Sequence, residues 1–170
     1  HPIHLATRSL KGLLVLPKHC FAVLLVLILA TIPFTSNALQ TTGKQVILLD
    51  ARTGTVLFEK NADERMAPSS MSKVMTIYRL FDELKGGSLS LSDNFHVSEK
   101  AWRKQGSKMF VSVNSRVQVE DLIRGIIVQS GNDASIVVAE GLSGSEAAFA
   151  QELNETAKLL GLNSSNFTNA

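Results

Sequence analysis

Ser70 and Lys73 stand three residues apart at the start of the stretch "SSMSKVMTIYRLFDELKGG", whose closing glycines, Gly86 and Gly87, are typical of a helix end. Side chains at this spacing leave the same side of a helix. The first turn of a helix also offers unpaired backbone N–H groups and the positive end of the dipole, which favour a developing negative charge. The pair therefore predicts a serine nucleophile, Ser70, with Lys73 as its base.

The setting of Lys73 favours this chemistry. At 100° per residue, Lys73 lies within the stripe that we expect to be buried, with Leu80 just behind it and an apolar arc of roughly 160° ahead of it. This arc holds Leu84, Ile77, Ser70, Phe81, Val74, Tyr78 and Met71, and the opposite arc holds Asp82, Arg79, Ser72, Glu83, Thr76 and the apolar Met75. A lysine among apolar neighbours loses hydration, so its pKa falls and it can accept a proton near neutral pH. The alternative is a structural lysine. Ser-x-x-Lys arises by chance on the order of once in a chain of this size, and a helical lysine can extend its ammonium group to water.

A second polar element interrupts an apolar run in "IIVQSGNDASIVV". Ser130, Asn132 and Asp133 would be costly to bury without partners, so their presence needs a local reason. A helix break is one such reason, with Gly131 ending one helix and Asn132 or Asp133 capping the next. A helix break explains the presence of Gly131 and Asp133 better than it explains the presence of Ser130.

The first 38 residues have the pattern of a secretory signal peptide. Basic residues precede the apolar run "FAVLLVLILATIPF", and "TSNA" supplies a small-residue cleavage site after Ala38. The alternative is a membrane anchor, but fourteen helical residues span only about 21 Å of a hydrocarbon core of about 30 Å. We therefore expect an exported protein, in the periplasm or on the outer face of the cytoplasmic membrane.

The composition of the remaining chain excludes several classes of function. The whole chain has 17 Lys and Arg against 15 Asp and Glu. The leader holds three of these basic residues and none of the acidic ones, leaving 14 against 15. This balance does not favour a nucleic-acid partner. The leader also contains the single cysteine, Cys20, and leaves His96 as the one histidine, so we expect no disulfide, no metal site and no thiolate chemistry.

The remaining residues are expected to alternate strands and helices. "KQVILLDA" and "TVLFEK" predict a hairpin with Gly54 in its turn, and "MFVSV" at 109–113 predicts a short strand. Ser69 or Ser70 should cap the first helix, and later helices are predicted from "VEDLIRGIIVQ", "DASIVVAEGL" and "SEAAFAQELNETAKLLG". Residues 39–170 suit one modest domain. Because two strands do not make a stable sheet, the rest of that sheet must come from elsewhere.

With "SMSK" followed some sixty residues later by "SGN", the chain resembles the penicillin-recognising serine enzymes. More narrowly, it is similar to the low-molecular-mass penicillin-binding proteins that are D-alanyl-D-alanine carboxypeptidases. The runs "VILLDARTGTVLFEKNADERMAPSSMSKVMT" and "LIRGIIVQSGNDAS" carry the resemblance. It implies an α/β (α+β) fold of the β-lactamase/transpeptidase type, with three αβα layers, an antiparallel sheet and a helical lobe.

The resemblance also implies roles for the matching residues. Ser70 would attack the penultimate D-alanine carbonyl of a peptidoglycan stem peptide and form an acyl-enzyme, with Lys73 as the base. Ser130 would pass a proton to the leaving amine, and Asn132 would bind a backbone amide of the substrate. β-Lactams would acylate Ser70 as covalent inhibitors, and no cofactor is implied.

One expected motif is missing. The family carries a Lys-Thr-Gly on a later strand, whereas "RTG" at 52–54 precedes the nucleophile and is typical of a hairpin turn. We therefore interpret the chain as a fragment at both ends, with residues 39–170 as the N-terminal part of the catalytic domain. The third motif and any C-terminal membrane anchor would lie beyond Ala170, and the fragment alone is expected to fold poorly and to be inactive.

Two alternatives remain. A class A-like β-lactamase shares the Ser-Lys pair, but the Glu-x-x-Leu-Asn of that class has Ala150 in place of glutamate here, only twenty residues after Ser130. A non-catalytic wall-binding homologue would keep the fold with a defective motif, whereas both motifs present here are intact.

Overall fold

The computed structural model describes residues 39–170, and the predicted signal peptide lies outside them. The chain divides into two compact units, of which the first ends at Glu64 and the second comprises Arg65–Ala170. Within the described part of the chain, no helix combines the length and the apolar character needed to cross a bilayer.

The described part of the first unit is the predicted hairpin. Strands β1 (Val46–Leu49) and β2 (Val56–Lys60) pair antiparallel, with Val46 opposite Lys60 and a bulge between Leu48 and Leu49. The carboxylate of Asp50 accepts hydrogen bonds from the backbone N–H groups of Arg52, at 2.8 Å, and Thr53, at 2.9 Å. Gly54 has a φ of 72°, so it takes the left-handed conformation expected of it in this turn. The "RTG" run is therefore a turn, as predicted.

The second unit is mainly helical. Its helices are α1 (Lys73–Gly86), α2 (Glu99–Arg103), α3 (Val119–Gln129), α4 (Asn132–Ser143) and α5 (Glu146–Leu159). Strands β3 (Asn94–His96) and β4 (Arg116–Gln118) form a short antiparallel pair. Four of the helices were predicted with nearly these bounds. The predicted strand at 109–113 was wrong: this segment is irregular, and the strands lie on either side of it.

Helix α4 is the centre of this unit. It packs against the other four helices and β3, and seven of its residues are buried. Its run "DASIVVA" is buried at all seven positions because neighbouring elements pack on several of its sides. Two clusters form the core, one centred on Leu80, Leu122 and Val137 and the other on Phe149 and Leu153.

The buried side of α1 matches the predicted side only in part. Lys73, Ile77 and Leu80 are buried as expected. Val74, Tyr78 and Phe81 are 73%, 42% and 46% exposed, whereas Met75 and Thr76, expected on the outside, are buried. The reason is that α3, α4 and α5 all pack on the side that carries Thr76 and Leu80. α1 therefore has two apolar faces, of which this unit covers one.

Candidate active site

Ser70 lies on a tight turn that leads into α1. Residues Ser69–Ser72 form one turn of 3₁₀-helix, and Lys73 begins the α-helix. The predicted cap was wrong, since neither Ser69 nor Ser70 caps α1. Instead Ser72 Oγ donates a hydrogen bond to the carbonyl oxygen of Ser69 at 2.9 Å. Ser69 has a φ of 52°, a left-handed conformation that is uncommon for a residue with a side chain and that reverses the chain just before Ser70.

The side chains of Ser70 and Lys73 are in direct contact. Lys73 Nζ donates a hydrogen bond to Ser70 Oγ at 3.1 Å. Ser70 is exposed, whereas Lys73 is only 7% exposed, so Lys73 lies on the buried side of its helix as predicted. A substrate can therefore reach the hydroxyl while the amine beside it is held in the protein.

The charged form of the Lys73 amine is destabilised, so its pKa is lowered. Burial lowers the pKa of Lys73 first of all, and the positive charge of Lys104 lowers it further. Burial disfavours the ammonium form because the protein replaces its hydration incompletely. A lysine with a depressed pKa can accept the proton of a hydroxyl with which it already shares a hydrogen bond.

The "SGN" run forms the junction between α3 and α4. Ser130 ends α3 in a left-handed conformation with a φ of 55°, and Gly131 is the residue that precedes the first turn of α4. The prediction that Gly131 ends α3 and that Asn132 or Asp133 caps α4 was therefore wrong. Ser130, and not Gly131, takes the left-handed position at the end of α3, and Gly131 is the N-cap residue of α4. Gly131 fits here for a different reason: an added Cβ would lie 3.1 Å from the carbonyl oxygen of Gly125, a close approach that glycine avoids.

Asn132 binds an irregular segment that precedes it in sequence. Its side-chain Nδ2 donates to the carbonyl oxygen of Gln105 at 2.8 Å, and its backbone N–H donates to the carbonyl oxygen of Ser107 at 2.8 Å. Because Nδ2 is engaged in this way, the orientation of the carboxamide is determined. Sequence reasoning missed residues 105–111 as part of the site, since nothing in their composition points to Asn132.

The two motifs are brought into the same unit by helix packing. α1 carries Lys73, the α3–α4 junction carries Ser130 and Asn132, and α1 packs against both α3 and α4. His96 lies away from both motifs in sequence, on β3. Among residues 39–170 there is no group of three or more side chains of the kind that hold a metal ion.

The D-alanyl-D-alanine carboxypeptidase family model matches residues 32–170. The D-alanyl-D-alanine carboxypeptidase DacF of Bacillus subtilis is 40% identical over 127 residues, which are 75% of this chain and 33% of that protein. The crystal structure of the D-alanyl-D-alanine carboxypeptidase DacD of Francisella tularensis superposes with a TM-score of 0.74 at 40% identity, covering 77% of this chain and 32% of that one. Penicillin binding protein 5 of Haemophilus influenzae gives a TM-score of 0.74 at 37% identity, covering 79% and 40%.

These likenesses confirm the predicted fold class. The helices and antiparallel strand pairs of this chain are part of the fold of the penicillin-binding D,D-peptidases. The chain spans about a third of the length of the curated relatives that it matches.

Proposed function

Because the chain belongs to the D-alanyl-D-alanine carboxypeptidase family, we propose that its full-length protein is a serine carboxypeptidase of the bacterial cell wall. It removes the terminal D-alanine from peptidoglycan stem pentapeptides through an acyl-enzyme on Ser70. The single observation that carries this proposal is the 3.1 Å hydrogen bond between Lys73 Nζ and Ser70 Oγ, with the amine largely buried.

In the first half of the reaction, Lys73 in its neutral form takes the proton of Ser70 as Oγ attacks the penultimate D-alanine carbonyl. A bond forms between Oγ and the carbonyl carbon, and a tetrahedral oxyanion develops close to the start of α1, where the helix dipole favours negative charge. The C–N bond then breaks, Ser130 hands its proton to the departing amine, and Lys73 passes the proton it took from Ser70 on to Ser130. Asn132 holds a backbone amide of the substrate in place.

In the second half, water attacks the acyl ester, Ser70 regains its proton, and the shortened stem peptide leaves. A β-lactam follows the same first half, but the opened ring stays attached, so β-lactams act as covalent inhibitors. This chemistry needs no metal or cofactor.

We further propose that residues 1–38 are a signal peptide and that residues 39–170 are the N-terminal part of the catalytic domain. The protein then acts outside the cytoplasmic membrane. The apolar run at 21–34 and the small residues before Leu39 support this proposal. Mature protein purified from the exported fraction should begin at Leu39, and a mature protein that kept residues 1–38 would contradict it.

The proposed function is tested by covalent labelling of the full-length protein with fluorescent penicillin. Wild-type protein should be labelled and Ser70→Ala should not. Lys73→Met should be acylated at least about a hundredfold more slowly, as expected when a general base is removed. Ser72→Ala is the matched control, since it removes a hydroxyl from the same turn and should leave labelling intact.

Two results would point to the alternative functions. Fast, repeated hydrolysis of a chromogenic cephalosporin would indicate a β-lactamase. Folded wild-type protein that no penicillin labels would indicate a non-catalytic homologue, and labelling that survives in Ser70→Ala would place the nucleophile elsewhere.

A further inference from the structure

Asp133 has a set of contacts that the proposed reaction does not use. The residue is fully buried, at 0% exposure. Its Oδ1 accepts hydrogen bonds from the backbone N–H of Met109 at 3.0 Å and of Ala134 at 2.9 Å, and its Oδ2 accepts one from Val111 at 3.2 Å. The carboxylate thus accepts hydrogen bonds from two backbone N–H groups of a segment that is distant in sequence. Hydrogen bonds to a carboxylate are charge-assisted and stronger than those between neutral groups.

The segment that Asp133 holds keeps its shape without regular secondary structure. Besides Asp133, it is held by the packing of Met109 and Val111 on the core and by backbone hydrogen bonds between residues 114–115 and Val97. Residues 104–115 form neither helix nor strand. Phe110, between the two amides that Asp133 binds, has a φ of 62° and is 82% exposed. A bulky residue in this region of backbone space is strained and persists only where its surroundings hold it there.

The same segment fits closely against Asn132. The carbonyl oxygens of Gln105 and Ser107 accept the two hydrogen bonds of Asn132 described above. Between them, Gly106 has a φ of 93°, and an added Cβ would lie 2.5 Å from Asn132 Nδ2. The orientation of the Asn132 carboxamide therefore depends on where the backbone of residues 105–107 lies.

We propose that Asp133 is a positioning residue for the reaction: by anchoring residues 109–111, it places the Gln105 carbonyl that orients the amide-binding side chain of Asn132. This inference rests on the proposed function, in which Asn132 binds an amide of the substrate. One hydrogen of Nδ2 is committed to Gln105, so the other hydrogen and Oδ1 point in set directions toward a substrate amide. Loosening the segment frees the carboxamide to rotate and weakens amide recognition without removing the nucleophile or its base.

The test compares two penicillins that differ in the group that Asn132 would bind. Benzylpenicillin carries an acylamino side chain with an amide, and aminopenicillanic acid is the same bicyclic nucleus with a free amine instead. Second-order acylation rate constants are measured for both on the full-length enzyme. Asn132→Ala defines the signature of lost amide recognition: a loss with benzylpenicillin of about tenfold, the size expected for one hydrogen bond, and little change with aminopenicillanic acid.

Asp133→Asn should reproduce this signature, because an amide in place of the carboxylate keeps one acceptor and sets an N–H against a backbone N–H. We expect roughly a tenfold loss with benzylpenicillin and less than about a twofold loss with aminopenicillanic acid. The effect of Asp133→Asn should be nearly absent in an Asn132→Ala background, since both changes act on one interaction.

Gly106→Ala provides an independent route, because it pushes the segment away from Asn132 while leaving Asp133 and the buried core intact. It should give the same selective loss. Gly87→Ala is the matched control: Gly87 also has a positive φ, of 77°, but an added Cβ there meets nothing within 4 Å. This variant carries the same kind of backbone strain, and its two acylation rates should both equal those of the wild type.

Equal losses with both penicillins in the Asp133→Asn and Gly106→Ala variants would overturn the proposal, since they would indicate a general structural role. Unchanged rates in either folded variant would also overturn it. If Asp133→Asn does not fold, as judged by hydrogen exchange across the whole protein, Asp133→Glu replaces it: the longer side chain keeps the charge but displaces the acceptor oxygens, and it should give the same selective loss. If neither penicillin acylates the wild-type enzyme, the proposed function itself fails and the inference falls with it, a result recognisable from the wild type alone.

Discussion

At the scale of single residues, two effects of different origin determine the pKa of Lys73. The larger is its burial by its own unit, and the smaller is the charge of Lys104, which stands next to the residue whose carbonyl orients Asn132. Both lower the pKa of the Lys73 amine. Residues 104–107 therefore have an electrostatic link to the base, through Lys104, as well as a hydrogen-bonded link to Asn132.

We predict that Lys104→Met makes acylation slower in acid and at neutral pH. Removing the positive charge lets the pKa of Lys73 rise, so a smaller fraction of the amine is neutral below that pKa. The acidic limb of the acylation rate against pH should therefore move to higher pH. Because Lys104 is exposed, the loss at neutral pH should be roughly twofold, and it should shrink as salt is added.

Lys85→Met is the control for this measurement. It removes an equally exposed lysine from the same helix as Lys73, but at twelve residues' distance, about 18 Å along the axis. Its pH profile should coincide with that of the wild type at low salt. A Lys104→Met profile that also coincides with the wild type there would show that the charge of Lys104 does not reach the base.

At the scale of elements, α1 carries a buried polar group that its neighbours do not satisfy. Thr76 is fully buried, one turn after Lys73, and its Oγ1 has no hydrogen-bond partner within the described residues. A buried hydroxyl without a partner costs free energy, whereas a methyl group of the same shape does not. The packing of α1 against α3, α4 and α5 is therefore less stable than its apolar contacts would allow.

We predict that Thr76→Val stabilises the full-length protein by about 1 kcal/mol, because it replaces the hydroxyl by an isosteric methyl and keeps the branched shape. Urea denaturation measures the change in the free energy of unfolding. Thr76→Ser should do the opposite, since it keeps the hydroxyl and leaves a methyl-sized void. A destabilised Thr76→Val protein would mean that the hydroxyl has a partner, such as an internal water.

At the scale of the whole molecule, the described residues leave several apolar faces open to solvent. On α1 this open face comprises Val74, Tyr78 and Phe81, and on the hairpin of the first unit Ile47 and Leu57 are 55% and 61% exposed. Contiguous apolar surface of this kind is unusual for an independent soluble domain. The relatives are much longer than this chain, which covers 33% of DacF. We therefore expect the rest of the full-length protein to cover these faces.

We predict that a polypeptide of residues 39–170 alone binds the dye ANS strongly and is not acylated by penicillin. Val74→Glu combined with Phe81→Lys should reduce ANS binding by this polypeptide, because the open face becomes polar. The same pair of substitutions should destabilise the full-length protein by at least about 3 kcal/mol, since burying unpaired charges is costly. A soluble, penicillin-reactive polypeptide of residues 39–170 would contradict this prediction, as would a full-length protein that tolerates both substitutions.

The sequence by itself determined the first hairpin, four of the five helices and the pairing of the first motif. Hairpin bounds follow from alternation around Gly54, and helix bounds follow from periodicity and glycine stops, which are local properties of the backbone. The contact between Ser70 and Lys73 is local too, because residues three apart meet within one helical turn. The motif order in the chain was enough to identify the family.

Only the tertiary structure decided which side of α1 is buried and what surrounds Asn132. α1 has apolar residues on two faces, so periodicity alone could not choose between the side of Val74 and the side of Thr76. That choice depends on where α3, α4 and α5 pack. The contacts of Asn132 and Asp133 with residues 105–111 join positions more than twenty residues apart through backbone groups, which every residue carries. Backbone partners leave no mark on side-chain composition, and for that reason only the folded chain reveals them.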